Sequence, residues 1–243
     1  MTETAPQSGP ERLLAVPAAA PVEFEKNLIR LAVCELRFPT LLELETDTPV
    51  SFQKALRKQY PFYEPGLDVA IQAAGAATTQ KRHGFKSRDK NWTVALRPSS
   101  LAIETTAYKT FEDLLGRVHG LLKASSDLID TDFFTRVGLR YINIVPVGAD
   151  AVVDWLNPDL VKPLEAGVLG DVDHFFQEIR GKCEGGTYTL RHGLKVETAR
   201  EYVVDFDFSR ESVPVTETLK LLESFHVQGF SLFMWKDSSS FKV

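Results

Sequence analysis

The stretch FTRVGLRYINIVPV, residues 134–147, decides the fold. It is rich in β-branched and aromatic residues and ends at Pro146, a pattern typical of a β-strand. Because side chains alternate along a strand, Leu139 and Tyr141 share one face with the other apolar residues. The opposite face, which we call the open face, carries Arg136, Gly138 and Arg140. The pattern predicts a central strand with helices packed on one face only.

Three other predicted strands place charged side chains on the same kind of face. The segments are VCELRFP at 33–39, LAIETTAY at 101–108 and VVDFDF at 203–208, and in each the charged residues alternate with apolar ones. The charged residues are Glu35, Arg37, Glu104, Asp205 and Asp207. If these strands belong to one sheet, its open face carries carboxylates interspersed with arginines.

The composition is that of an ordinary globular protein. The chain has 243 residues, of which 44% are hydrophobic and 25% charged, with a formal net charge of −5. This balance argues against a general nucleic-acid binder, which would carry a basic excess. No apolar run approaches the ~18 residues of a membrane-spanning helix, so no membrane contact is expected. Cys34 and Cys183 cannot form a disulfide framework and are predicted to be reduced and structural.

Helices are predicted between the strands. Phe52 and Leu56 lie on one stripe of a first helix, Thr110 caps a second, and a last helix begins near Pro214. Weaker helical patterns cover residues 151–156 and 172–180.

The fold class is therefore predicted to be α+β, with an antiparallel or mixed sheet and helices mainly on one face. Residues 1–25, rich in Pro, Ala, Ser and Glu, are expected to form a disordered tail that packs against nothing. Residues 26–243 are expected to form a single domain.

The two halves of the chain resemble each other. In each half an acidic strand leads into a helix, FEDLLGRVHGLL in the first half and TLKLLESFHVQG in the second. Aligning His119 with His226 superimposes the apolar positions of both helices. The sequence is thus consistent with two pseudo-repeated halves in one sheet, or with a chance match of two amphipathic helices.

The strand segments, together with FQKALRKQYP and LAIETTAYKTF, resemble a sporadically distributed family of uncharacterised bacterial proteins of similar length. RVGLRYIN and LAIETTAY are the most specific motifs, and the resemblance covers nearly the whole chain after the tail. It implies an α+β fold and a location in the bacterial cytoplasm. The family brings no established activity, so no functional residue is transferred from it.

The open face has two interpretations. Its arginines either form solvated cross-strand ion pairs, each worth about 0.2–1 kcal/mol, or form a binding site. In the second case Gly138 leaves a gap where a ligand or peptide backbone lies between two planar guanidinium groups suited to carboxylate or phosphate. The candidate ligand- or partner-binding residues are Arg37, Glu104, Arg136, Gly138, Arg140, Asp205 and Asp207.

Other chemistry is not indicated, and we predict no catalytic residue, metal site or cofactor. Asp205 and Asp207 have a spacing that could hold Mg²⁺ or Ca²⁺, but no further oxygen ligand is suitably spaced. The five histidines show no ligand spacing. No nucleophile elbow or phosphate-binding loop is present in the sequence.

One basic segment, KRHGFKSRDK at 81–90, interrupts the acidic chain. Its cations, from Lys81 to Lys90, flank Phe85, and Trp92 follows. Aromatic rings among cations can grip single-stranded nucleic acid, whereas a solvated hairpin arm has the same composition. Any nucleic-acid contact is therefore expected only here.

The leading hypothesis is a non-enzymatic module of the bacterial cytoplasm that binds a protein partner or a small anionic ligand through the open face. The sporadic distribution of the resembling family suggests an accessory of a toxin–antitoxin or defence operon. The alternative is an enzyme acting on an anionic or nucleotide substrate, with Arg136 and Arg140 holding the anion. Glu104, Asp205 or Asp207 would then act as acid, base or metal ligand.

Overall fold

The computed structural model describes residues 12–19, 27–71, 77–149, 151–165 and 167–235. The strands are Ile29–Arg37 (β1), Phe62–Ile71 (β2), Ala77–Lys86 (β3), Trp92–Arg97 (β4), Ser100–Thr105 (β5), Phe133–Val145 (β6), Gln177–Cys183 (β7), Gly186–Val196 (β8) and Arg200–Pro214 (β9). The helices are Glu43–Thr46 (α1), Val50–Leu56 (α2), Phe111–Ile129 (α3), Pro158–Glu165 (α4) and Thr218–Phe233 (α5). Short 3-10 turns cover Val152–Asp154 and Val215–Glu217.

The strands form one nine-stranded sheet in the order β2-β3-β4-β5-β1-β6-β9-β8-β7. Every neighbouring pair runs antiparallel. The α+β class is confirmed, and of the two predicted sheet types the antiparallel one is found. β1 and β6 lie side by side at the centre, so the open face of β6 is the middle of a wide surface.

The predicted faces of β6 are confirmed by its register. Leu139 pairs with Cys34 on β1 and with Phe208 on β9, and all three side chains are buried on the helix-covered face. Cys34 and Cys183 are both free thiols, as predicted, and both are buried. Since a strand alternates, Arg136 and Arg140 project from the other face.

The helices pack on the face that carries Leu139. The N-cap of α3 is Thr110, as predicted, and its side chain accepts a hydrogen bond of 3.2 Å from the backbone N–H of Asp113. Phe52 of α2 meets Phe85 of β3 edge to face, and Phe225 of α5 packs on Phe208 of β9. The open face carries no described helix.

The predicted helix at 172–180 is wrong, because the chain forms strand β7 from Gln177 to Cys183. The apolar residues of this segment have helical spacing, namely Val172, Phe175, Phe176 and Ile179. The backbone N–H and C=O groups of β7 form their hydrogen bonds with β8 instead of within a helix. The segment 151–156 holds only the 3-10 turn, and the last helix begins at Thr218 rather than near Pro214.

Residues 12–19 differ from the predicted tail that packs against nothing. The N–H of Leu14 donates to the carbonyl of Lys182 on β7 at 2.8 Å. Leu14 and Val16 pack against the core, and the N–H of Ala19 reaches the Ser231 hydroxyl at 3.4 Å. This segment therefore extends the edge of the sheet at β7. The rest of the predicted tail, residues 1–11 and 20–25, lies outside the described residues.

Within the described ranges, no helix is both long and apolar enough to cross a membrane.

Candidate functional site

The centre of the open face holds two arginines directly opposite each other. Arg37 of β1 pairs in register with Arg136 of β6, a like-charge pair that would be unfavourable alone. Glu35 resolves the repulsion, because its Oε2 accepts from Arg37 Nε at 2.9 Å and from Arg136 Nη1 at 3.1 Å. One carboxylate thus holds both guanidinium groups in place.

Gly138 has a structural role that its position alone did not reveal. A Cβ atom at this residue would collide with the guanidinium of Arg136, which lies over the glycine. In this position Arg136 also reaches across to β9, where Nη2 donates to Asp207 Oδ1 at 2.9 Å. The gap predicted for a ligand is therefore occupied by Arg136 itself.

Arg140 pairs with Asp205, the most buried carboxylate among the described ion pairs of the face. Its Nε and Nη2 donate to the two oxygens of Asp205 at 2.8 and 2.7 Å, a bidentate geometry. The Asp205 side chain is only 7% exposed, whereas that of Arg140 is 42% exposed. The hydrogen bonds to Asp205 are the main cause of the raised pKa of Arg140, with Asp205 and Asp207 charges adding to the effect.

Three further residues extend the network toward the edge of the sheet. Arg191 of β8 lies 3.5 Å from Asp205 and donates to Glu178 of β7 at 2.7 Å. Arg180, also on β7, pairs with Glu178 at 2.8 Å. The hydrogen bond from Arg191 is the main cause of the lowered pKa of Glu178. We call the whole set the ion-pair network: Glu35, Arg37, Arg136, Arg140, Glu178, Arg180, Arg191, Asp205 and Asp207.

Sequence reasoning missed the members on β7 because that segment was predicted to be helical. Alternation in TLRHGLKV would have revealed Arg191, since it lies between Leu190 and His192 and both of these are buried. Arg191 carries the network from β9 to β7.

In four pairs of the network, including that of Arg191 with Asp205, the arginine is the more exposed partner, whereas in both pairs of Arg136 and in the pair of Arg191 with Glu178 the carboxylate is slightly more exposed. The exposed side-chain fractions are 53% for Arg37 and 24% for its partner Glu35. The fractions are 71% for Arg180 and 30% for Glu178, and Arg140 and Asp205 show the same order. The carboxylates of these four pairs are less exposed than the arginines, so the four pairs present mainly guanidinium groups to solvent. The open face thus exposes positive charge although the net charge of the chain is −5.

Glu104 is the candidate residue that the fold keeps apart. It pairs in register with Val33 and Thr93 and lines a depression of about 300 Å³. In this depression Asp68 accepts from Arg82 at 3.1 Å and from Arg97 at 2.5 Å. The structure thus brings together Arg37, Arg136, Arg140, Asp205 and Asp207, but not Glu104.

Asp205 and Asp207 share a face, but each is turned toward a different arginine. Among the residues that the structure describes, no group of three or more His, Cys, Asp or Glu side chains could hold a metal ion.

The basic segment at 81–90 is divided between the two faces of β3. Arg82 and Lys86 pair with Asp68 and Glu64 on the open face. Lys81 donates to the carbonyl of Thr46 in α1. The aromatic rings are not available for base stacking, because Phe85 and Trp92 are 1% and 5% exposed. The observation favours the solvated-arm interpretation of this segment.

Comparison with known proteins gives no further identification: no family model matches the chain, and no curated protein matches it.

Proposed function

We propose that the protein is a non-enzymatic module that docks a protein partner with an acidic surface onto the open face. The observation that supports this is the outward orientation of Arg37, Arg140 and Arg180 above their carboxylate partners. An acidic surface would find planar donors that are directed outward and keep unused N–H groups.

The ion-pair network also lowers the cost of such binding. A free arginine loses rotamer freedom when a partner immobilises it, at a cost of about 0.5–1.5 kcal/mol. Arg37 and Arg140 are already held by Glu35 and Asp205. The arginines of the open face are therefore preorganised for binding. Because arginines and carboxylates alternate across this face, a partner binds well only if its own charges match this pattern.

The alternative, an enzyme for an anionic or nucleotide substrate, has less support from this geometry. The gap beside Gly138 that would admit the substrate anion is occupied by the Arg136 guanidinium, which is already bonded to Glu35 and Asp207. The depression near Glu104 has a volume of about 300 Å³, and its arginines Arg82 and Arg97 are already paired with Asp68.

The test is quantitative co-purification from native cells with charge-reversed variants. Arg37→Glu and Arg180→Glu change exposed ends of the network and leave Asp205 paired. Lys123→Glu and Lys220→Glu are matched reversals on exposed positions of α3 and α5. We expect a protein retained by the wild type to be lost with the first two variants and kept with the controls. The proposal is contradicted if the wild type retains no protein, or if all four variants retain the same protein as the wild type does.

Raised salt should weaken the same interaction, because exposed charges are screened over about 8–10 Å at physiological ionic strength. Retention that is unchanged between low and high salt would argue for an apolar partner instead.

The pseudo-repeat is a further part of the proposal. From the centre outward, β1, β5, β4 and β3 are arranged like β6, β9, β8 and β7. The strands β5 and β9 each lead into a long helix, α3 and α5. The order supports two related halves, with β2 as an addition to the first. A cytoplasmic location and an accessory role in a toxin–antitoxin or defence operon rest on the family resemblance alone.

A further inference from the structure

A cavity of about 530 Å³ lies on the helix-covered side, between the start of α3 and the second half of α5. Its floor is formed by Tyr141 and Asn143 of β6, whose side chains are 6% and 3% exposed. The volume is within the range of small-molecule sites in proteins, roughly 300–1,000 Å³. The cavity is separated from the open face by the sheet itself.

Aromatic rings line most of this cavity. Phe111 at the start of α3 stacks on His226 of α5, with ring centroids 4.1 Å apart and planes 6° from parallel. Tyr108 meets Tyr141 edge to face at 5.5 Å. Phe206, Phe230 and Phe233 complete the apolar lining. Walls of this kind favour a flat ring, because ring faces and edges attract each other beyond simple apolar burial.

The hydrogen-bonding groups of the cavity include His226 and Asn143. Burial lowers the pKa of His226, so the imidazole is neutral at neutral pH. The Tyr141 hydroxyl lies 3.2 Å from His226 Nδ1, and burial raises the pKa of Tyr141, so the hydroxyl keeps its proton. The hydroxyl of Tyr141 bonds to Tyr108 as well as to His226, so the neutral imidazole keeps Nε2 for a ligand, as a donor in one tautomer and as an acceptor in the other. Asn143 donates from Nδ2 to the Val204 carbonyl at 3.2 Å and keeps its own carbonyl oxygen as an acceptor.

The charges of the cavity lie at its mouth and have opposite signs. Lys109 and Glu112 are both exposed, and every other lining residue is uncharged or, for His226, neutral. A buried ionic ligand would therefore lack a buried counter-charge.

We propose that this cavity binds a neutral, planar heteroaromatic group that forms one hydrogen bond with His226 Nε2 and donates another to Asn143. The inference is independent of the docking proposal, because its residues lie on the opposite side of the sheet.

The probe is benzimidazole at pH 7.5, a neutral fused ring with one N–H donor and one acceptor nitrogen, titrated into the full chain by calorimetry. We expect saturable binding that falls about tenfold in His226→Phe, since one hydrogen bond of about 1.4 kcal/mol is lost while a ring still stacks on Phe111. The matched control is His119→Phe, on the exposed surface of α3, which should bind as the wild type does. No binding by the wild type, or equal affinity in wild type and His226→Phe, overturns the proposal.

A second measurement avoids substitutions in the cavity. In the amide NMR spectrum of the wild type, benzimidazole should shift signals from residues 27–29, 108–112 and 226–233. Shifts confined to β1, β6 and β9 residues of the ion-pair network would overturn the proposal. Benzoate of similar size should leave the signals at the cavity unchanged, and equal shifts with benzoate would contradict the selection of a neutral ring.

Discussion

The two faces of the sheet stabilise polar groups in opposite ways. On the open face, charges are paired with charges, as in the bidentate bond between Arg140 and Asp205. On the helix-covered face, polar groups are kept neutral and bonded to neutral partners, as in the 2.7 Å contact between His192 Nδ1 and the Tyr202 hydroxyl. The difference follows from solvation, because a charge is tolerated where water and a counter-charge remain near it. The open face should therefore respond to salt, and the covered face to acid.

The largest expected effect is on the covered face of β6. Leu139→Ala removes a side chain that is 1% exposed between Cys34 and Phe208, and should cost about 2–5 kcal/mol of unfolding free energy. Denaturant titration measures this cost. Ile142→Ala, on the other face of the same strand, is the control and should cost less because Ile142 is only partly buried. Equal costs would mean that the two faces do not differ in packing.

The next effect separates buried from exposed ion pairs. Arg140→Ala should cost about 1–3 kcal/mol, because Asp205 is 7% exposed and is left with Arg191 at 3.5 Å. The double variant Arg140→Ala with Asp205→Asn should recover part of the loss, since the uncompensated carboxylate is then removed. A cost below about 0.3 kcal/mol for Arg140→Ala would place this pair among ordinary surface ion pairs.

Acid should destabilise the protein through the covered face. Burial lowers the pKa of His192 below the ordinary 6.5, and its Nε2 has no hydrogen-bond partner among the described residues. As the pH falls below about 6.5 the unfolded chain therefore binds the proton before the folded chain does. Stability is complete above this pH and decreases below it, by at most about 1.4 kcal/mol per pH unit for this group.

Urea titrations between pH 7.5 and 5 check this decrease. His192→Phe should flatten the pH dependence, whereas His119→Phe, on the exposed surface of α3, should leave it unchanged. An unaltered slope in His192→Phe would assign the acid sensitivity to other groups.

The smallest effect belongs to the exposed end of the ion-pair network. Arg37→Ala should change the unfolding free energy by about 0–0.5 kcal/mol, because this side chain is 53% exposed and Glu35 keeps its bond to Arg136. If Arg37→Ala lowers the unfolding free energy as much as Arg140→Ala does, the strength of these ion pairs does not depend on their exposure.

Local patterns in the sequence predicted the parts of the fold that depend on neighbouring residues. Alternation around Leu139 gave both faces of β6, and Thr110 marked the start of α3. Such local patterns could not predict which strands pair when they are distant in the sequence. The helical spacing at 172–180 concealed β7, because only contact with β8 decides between the two structures.

The candidate site was predictable in part for the same reason. The shared face of Arg136 and Arg140 follows from strand alternation, but the filling of the Gly138 gap depends on how Arg136 folds toward Glu35 and Asp207. The covered cavity has no local signature at all, because separate elements contribute its residues.

The docking of a partner on the open face is tested most directly by arginine modification with phenylglyoxal in native lysate and in the purified protein. Peptide mass spectrometry measures the modified fraction of Arg37, Arg180 and, as a control on the exposed end of α2, Arg57. A docked partner should protect Arg37 and Arg180 in the lysate relative to the purified chain and leave Arg57 equally reactive in both. Equal reactivity of Arg37 and Arg180 in lysate and purified protein would contradict partner docking on the open face.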